Sequence, residues 1–410
     1  MDPPPPKSIL DVPDDLLRLI FLRLDSPLWL IRAACTCKQF RHPIVSAGGA
    51  FLRLAATLHP PAIVGHYDNH RGRRVMFEPS SPSSAPIDVG RRRRRLSFDF
   101  LPRPPTASSS ECSVADCHGG LVLLRSQLDG MPDLIVCDPL TRRYQGIHRP
   151  YPPEKEECYY CTGTFLLDGD DGSISVSNFR VMYQCRVYLY KGIQACVFNS
   201  AADGDGWSFP KRAANDVEED YYYSGDVAGR GVDGSIYLGL ETGSVKILDS
   251  VSLQVSKVDL PIHVDTHTSM IPHTSRFTVV HGAGPDPASP ASTWIIHLRG
   301  EALEFFRLVH GSGEWVLEHT IPDLSEATRR LPNGPPEKVL RLREVDVIAG
   351  EAGTAILSVT ARDKMSWLFS IDMAAKKLQV VPTRETYYRR TRGMFAYALP
   401  WPRFLRACRS

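Results

Sequence analysis

After Gly49 the apolar residues stop spacing as helices do and gather into short runs, each closed off by Gly, Asp, Pro or Asn. Runs of that length between turn-forming residues predict strands joined by tight turns. Leu121-Val122-Leu123-Leu124, Leu134-Ile135-Val136-Cys137, Gly163-Thr164-Phe165-Leu166-Leu167, Val187-Tyr188-Leu189-Tyr190 and Ala195-Cys196-Val197-Phe198 are the first five. Ser235 to Leu238, Val245 to Leu248, Thr293 to His297, Ala355 to Val359 and Trp367 to Ile371 continue the series. A loose unit recurs every 40 to 55 residues, as in Gly119 to Pro150, Gly234 to Pro261 and Gly353 to Pro382. Each opens on a Gly-led strand, turns into a strand ending in Asp (Asp138, Asp249, Asp372), and closes with a strand near Pro. Gly206-Trp207 and Gly313-Glu314-Trp315 add an aromatic at matching turn-to-strand positions. A period of four-strand units predicts a β-propeller, of about six blades with five or seven as alternatives, and a large β-sandwich is the runner-up fold.

The first fifty residues follow a different rule. Pro13 suits a first helical position, and Asp14 and Asp15 complement the positive end of a helix dipole. Leu16, Leu17, Ile20, Phe21 and Leu24 then draw one broad apolar stripe, with Arg18 and Arg23 largely on the other side. Asp25-Ser26-Pro27 stops this helix and starts a second, Ser26 being a candidate cap and Pro27 the first position. Leu28, Leu30, Ile31 and Ala34 make the second helix apolar on more than one side, and Cys35, Phe40, Ile44 and Val45 carry the pattern into a third segment ending at Ala47-Gly48-Gly49. So short a segment cannot bury that much apolar surface within itself, so a partner surface is the expected cover for the remainder.

Val12-Pro13, the pair Leu16-Leu17, Ile20, Leu24 and the later Cys35-Thr36-Cys37-Lys38-Gln39-Phe40-Arg41 together resemble an F-box over roughly Leu10 to Ser46. Val12 replaces the usual Leu and Phe40 the usual Trp, both keeping an apolar side chain. The later half, about 110 to 400, resembles the F-box-associated β-propellers of plant F-box proteins. Cys117-His118-Gly119-Gly120-Leu121-Val122-Leu123-Leu124 and Asp138-Pro139-Leu140-Thr141-Arg142-Arg143-Tyr144 are the phrases that carry this likeness. The resemblance implies the substrate receptor of a ubiquitin ligase, with a Skp-type adaptor as direct partner, a cullin as indirect partner and an unidentified protein as substrate. By the same resemblance Val12, Pro13, Leu16, Ile20, Leu24, Leu30, Cys35 and Phe40 meet the adaptor or hold the helices that do. The expected fold class is α+β multidomain, a small three-helix F-box followed by an all-β domain. Expected boundaries are a Pro-rich disordered start (1–9), the F-box (10–48), a connecting segment that could enter the first blade (49–110), the propeller-like domain (111–400) and a tail (401–410).

Composition excludes more than it proposes. A net charge of +2 and a pI near 8.0 supply no general attraction to nucleic acid or anionic membrane, so neither is expected as a partner. Met1-Asp2-Pro3-Pro4-Pro5-Pro6 lacks a signal-peptide layout, and no apolar run approaches spanning length, so a cytoplasmic or nuclear setting is expected, with the ten cysteines reduced. Cys158-Tyr159-Tyr160-Cys161, with Cys112, Cys117 and His118, invites a zinc reading, but no second close pair stands at zinc-finger spacing, so no metal is expected. Asp168-Gly169-Asp170-Asp171-Gly172 has Phe179 where a calcium loop needs its bidentate Glu, and reads as a hairpin turn, as does Asp203-Gly204-Asp205-Gly206.

Phosphate-binding loops, zinc-protease helices and nucleophile elbows do not appear, so no cofactor is expected and the chain reads as a non-catalytic adaptor. Pro79 to Pro86 and Pro102 to Ser110 read as exposed loops, with Arg91 to Arg95 between them as a solvated basic loop or a nuclear-import patch. For the substrate, Tyr221, Tyr222 and Tyr223 after an acidic run, and Tyr387, Tyr388 and Arg389, are the candidate anchors, because aromatic and Arg side chains dominate binding hot spots. Two other functions fit the same sequence: a propeller enzyme or carbohydrate-binding module regulated by its helices, and an interaction scaffold independent of any ligase.

Overall fold

In the computed structural model, Pro13 stands one residue ahead of the first helix, with φ −58° and ψ 148°, and its carbonyl accepts the Leu17 N–H at 3.0 Å. The proline therefore caps the helix it was expected to open. The structure describes residues 12–24, 27–45, 51, 54–55, 62–69, 75–79, 96–102, 112–126, 131–150, 159–170, 172–187, 193–202, 206–208, 227–241, 244–252, 254–259, 277–282, 292–309, 312–332, 334–335, 342–349, 354–361, 366–373, 376–381 and 394–399. Helices α1 (Asp14–Leu22), α2 (Pro27–Thr36) and α3 (Lys38–Val45) pack together at the N-terminus. Pro43 sits inside α3, and Pro27 is the first residue of α2, where its missing N–H costs nothing.

Beyond the three helices the regular structure of the described residues is mostly strand. Blade 2 is β3 (Cys112–His118), β4 (Leu121–Ser126), β5 (Leu134–Asp138) and β6 (Arg143–Ile147), each paired antiparallel with the next. Blade 3 is β7 (Tyr159–Asp168), β8 (Phe179–Val187), β9 (Ile193–Asn199) and β10 (Trp207–Ser208). Blade 4 is β11 (Val227–Arg230), β12 (Ile236–Glu241), β13 (Ser244–Leu248) and β14 (Val255–Asp259). Blade 5 is β15 (Phe277–Gly282), β16 (Ser292–Arg299), β17 (Ala302–Leu308) and β18 (Trp315–Ile321), followed by helix α4 (Leu324–Arg329). Blade 6 is β19 (Leu342–Ala349), β20 (Thr354–Ala361), β21 (Ser366–Asp372) and β22 (Lys377–Val381).

Blade 1 closes the ring. It joins β1 (Ala62–Asp68) and β2 (Met76–Pro79) to the late strand β23 (Met394–Leu399), in the order β2, β1, β23. Its first two strands come from the 49–110 segment, so the two ends of the propeller are held by one antiparallel ladder running from Ala62↔Leu399 to Asp68↔Met394. Each neighbouring pair of blades shares a buried apolar cluster. Val64 and Tyr67 meet Val122 and Ile135 between blades 1 and 2, and Leu121 and Val136 meet Leu166 and Val181 between blades 2 and 3. Leu167 and Met182 meet Ile236 and Leu248, and Tyr237 and Val245 meet Val279 and Ile295. Trp294 and Phe305 meet Leu357 and Phe369, and Ile356 and Leu368 meet Met394 and Ala396. These six contacts complete a circle of six blades, and a β-propeller is the fold the strand period predicted.

The recurring Asp has a local reason. Asp138 Oδ1 accepts the N–H groups of Leu140 (2.9 Å) and Thr141 (3.2 Å), and Asp249 Oδ1 accepts those of Val251 (3.0 Å) and Ser252 (2.5 Å). The carboxylate thus makes the turn into the fourth strand of blades 2 and 4, a role for which its short side chain is suited. Gly206 and Gly313, at φ 75° and 71°, similarly precede Trp207 and Trp315 at the outermost strands of blades 3 and 5.

Candidate adaptor-docking surface

Helix α1 is apolar on two faces with opposite fates. Leu17 (1% exposed) and Phe21 face the core, where Phe21 meets the Phe40 ring edge-on at 5.6 Å. Leu16 (52% exposed), Leu19 (59%) and Ile20 (47%) recur at steps of three and four and remain open to solvent. Trp29 on α2 is 49% exposed and adds an aromatic ring. A three-helix unit that hides one leucine face and leaves another bare presents the kind of patch that marks a protein interface.

Polar contacts hold α1 against α3 from the side. Arg18 donates through Nε to the Pro43 carbonyl at 3.1 Å and through Nη1 to Asp15 Oδ1 at 3.0 Å. His42 Nδ1 lies 2.9 Å from Asp14 Oδ2. The acidic pair expected to favour the helix start therefore also positions it.

The eight residues assigned to the adaptor by resemblance divide accordingly. Pro13, Leu16 and Ile20 are exposed; Val12, Leu24 and Phe40 are half-buried and packed on the core. Leu30 is fully buried among Leu17, Ala34 and Ile44, so it holds the helices together. Cys35 lies in α2, but its side chain is outside the described residues. Leu19 and Trp29, exposed beside these positions, went unnoticed in the sequence because exposure of a leucine on a short helix is decided by what packs behind it.

The helical core does not end at α3. Leu17, Phe21, Leu30, Ala34 and Ile44 belong to one apolar cluster with Phe51, Ala55, Val64, Tyr67, Phe77, Leu96, Phe98 and Tyr397. Tyr67 is its centre: it stacks on Phe98 at 4.9 Å, meets Tyr397 edge-on at 5.5 Å and donates its hydroxyl to the Leu96 carbonyl at 2.9 Å. Burial, reinforced by Tyr397 and the neighbouring Cys117, Cys137 and Asp138, pushes the Tyr67 phenol well above its ordinary pKa, so it stays a hydrogen-bond donor.

A second polar focus links the innermost strands of blades 2, 3 and 4. Asp116 on β3 receives the Arg230 guanidinium from β11, the Leu166 N–H of β7 at 2.7 Å and the Cys117 N–H at 2.9 Å. His118 Nε2, at the end of β3, lies 3.1 Å from Asp168 Oδ1 at the end of β7, and Arg180 Nε donates to the Asp168 carbonyl at 2.8 Å. Burial disfavours the Asp168 carboxylate, but the His118 hydrogen bond and the charges of His118, Arg230 and Arg180 outweigh it and hold the pKa below the usual range. Asp168 thus ends a strand and binds across blades, and the following segment turns through a Gly169 N–H bond to the Ser173 carbonyl at 2.8 Å. No group of three His, Cys, Asp or Glu side chains is arranged to hold a metal among the described residues, nor is any helix there long and apolar enough to cross a membrane. The substrate candidates Tyr221, Tyr222, Tyr223, Tyr387, Tyr388 and Arg389, and the run Arg91 to Arg95, lie outside the described residues.

Comparison with known proteins names both halves. The F-box domain family matches residues 9–42, and the family described as "F-box protein AT5G49610-like, beta-propeller" matches residues 113–345, more than half of the chain. The chain belongs to this family of F-box proteins with a C-terminal β-propeller. No curated protein matches it. Similar solved structures include TolB from Acinetobacter baumannii, at 10% identity over 87% of this chain and 72% of that one, with a TM-score of 0.43. A puromycin hydrolase is 13% identical over 76% of this chain but only 42% of its own length, with a TM-score of 0.34. The Aleuria aurantia lectin is 12% identical over 68% of this chain and 80% of its own, with a TM-score of 0.34. Nothing about this chain's chemistry follows from likenesses that distant.

Proposed function

We propose that this protein is the substrate-recognition subunit of a Skp–cullin–F-box ubiquitin ligase, a non-catalytic adaptor of the cytoplasm or nucleus. The observation that carries the proposal is the bare stripe of Leu16, Leu19 and Ile20 on a helix whose other apolar face is buried. A Skp-type adaptor covers that stripe, with Pro13 at its N-terminal edge, and brings the cullin indirectly. The propeller holds the protein to be ubiquitinated.

The division of labour has a physical basis. Truncating an exposed residue of the stripe removes contact area with the partner while leaving the internal packing of the helices intact. Co-purification of the full chain with a Skp-type adaptor and its cullin is the test. The unaltered chain is expected to retain both, and Leu16→Ala combined with Ile20→Ala to weaken adaptor binding at least about tenfold with an unchanged melting temperature. Undiminished binding by that variant, if its fold is intact, overturns the assignment of the stripe.

A further inference from the structure

Cys161 on β7 and Cys185 on β8 are direct partners in the antiparallel ladder of blade 3, between the pairs Tyr160↔Arg186 and Gly163↔Gln184. Directly opposed residues of such a ladder share a face of the sheet and have Cα atoms about 4.5–5.5 Å apart. That interval lies inside the range of about 4.4–6.8 Å that a disulfide spans. The register therefore brings two cysteines, 24 positions apart in the chain, within bridging reach.

Two further features bear on this pair. Cys117, Cys137 and Cys196 are buried, whereas Cys161 and Cys112 are partly exposed, and Cys112 stands opposite Ser126 rather than a second cysteine; the Cys161 thiol donates to the Gly163 carbonyl at 3.7 Å. Access to an oxidant is a precondition for thiol reactivity, and burial removes it. The register also shifts between Cys161 and Gly163, where Thr162 is the extra residue of a bulge. Bulges locally increase twist and bend the strand, which lets the backbone adjust at this point in the ladder.

We propose that Cys161 and Cys185 form a redox-modification site, a dithiol that a hydroperoxide converts to a disulfide joining the innermost strand of blade 3 to its neighbour. The Cys161 thiolate attacks one peroxide oxygen of hydrogen peroxide. The O–O bond breaks, a sulfenic acid forms, and the departing hydroxide takes up the thiol's proton as the first water. The Cys185 sulfur then attacks the Cys161 sulfur, the S–S bond forms, and the S–O bond breaks. The leaving hydroxide takes the Cys185 proton as the second water. Two thiols are oxidised by two electrons in all, and one peroxide is reduced to two waters. Exposed disulfides are more readily reduced than buried ones, so a thiol reductant is expected to restore this dithiol.

Peptide mapping of the full chain after hydrogen peroxide treatment and blocking of residual thiols, without reduction, tests this. Tryptic cleavage places Cys161 in residues 156–180 with Cys158, Cys185 in residues 181–186 and Cys196 in residues 192–211. The expected product joins 156–180 to 181–186 with the mass of the two peptides less two hydrogens, fragmentation assigning the bridge to Cys161. It disappears on reduction and is absent from Cys161→Ser. A bridge from Cys158 or Cys196 in its place, sulfinic or sulfonic acid at Cys161 with no bridge, or unreacted thiols would each overturn the proposal, and the unaltered chain alone decides among them.

Discussion

Leucines of the N-terminal helices differ in exposure because one side of each helix has something packed behind it. Leu30 lies at 0% exposure in the helical core and Leu16 at 52% on the stripe. Leu30→Ala is expected to destabilise the protein by about 2–5 kcal/mol, as truncation of a packed core leucine does. Leu16→Ala should change stability by less than about 0.5 kcal/mol, as exposed substitutions usually do. Denaturant unfolding of the two variants checks the contrast. Asp168 offers a residue-scale test through pH. Its folded pKa is held below the unfolded value, so the stabilisation it contributes is present above that unfolded value and is lost as pH falls through the folded one. Melting temperatures from pH 6 down to pH 3 should fall more steeply below about pH 4 for the unaltered protein than for Asp168→Asn. Equal slopes would show that the His118 contact does not couple to folding.

At the level of elements, strands showed in the sequence where a short apolar run stands between turn residues; β8 and β17, broken by Arg, Gln or Glu, did not. β4, β5, β12, β13, β20 and β21 fall on the runs seen in the sequence, and they are the middle strands of their blades. Of the innermost strands, β7 falls on the run Gly163 to Leu167, whereas β3 and β11 fall on none. β3 (Cys112–His118) mixes Ser, Asp and His with Val, and β11 is only Val227–Arg230, because these strands carry the polar contacts that join blades. The repeat therefore shows in the sequence one strand late, at the Gly turn after the innermost strand. β11 also shows why a short strand can matter. Gly229, at φ 143°, pairs in parallel with Val279 of blade 5, and a Cβ there would collide with the Val279 carbonyl. Gly229→Ala is expected to cost about 1–3 kcal/mol, from a strained backbone and a disturbed seam between blades 4 and 5. Thermal unfolding of that variant measures it.

On the scale of the whole molecule, the helices and the closing blade are one packed body. The cluster that contains Leu17, Phe21 and Leu30 continues through Phe51 and Ala55 to Tyr67 and Tyr397, the residues where β1 meets β23. Removing residues 1–48 would expose that cluster, so the shortened chain is expected to melt several degrees below the full one or to aggregate, measured by calorimetry or differential scanning fluorimetry. An unshifted transition would show that the closing blade is stable without the helices. By itself the sequence determined the class of each half, because apolar period is a local property: steps of three and four for the helices, short runs between turn residues for the blades. It also marked the turn aspartates, whose hydrogen bonds reach only two or three residues along the chain. The tertiary structure alone decided which leucines stay bare, that the last strand returns to the first, that Asp116 meets Arg230, and that Cys161 stands opposite Cys185. Each of these joins residues distant in sequence, or depends on what packs behind a side chain, and neither leaves a mark on local spacing.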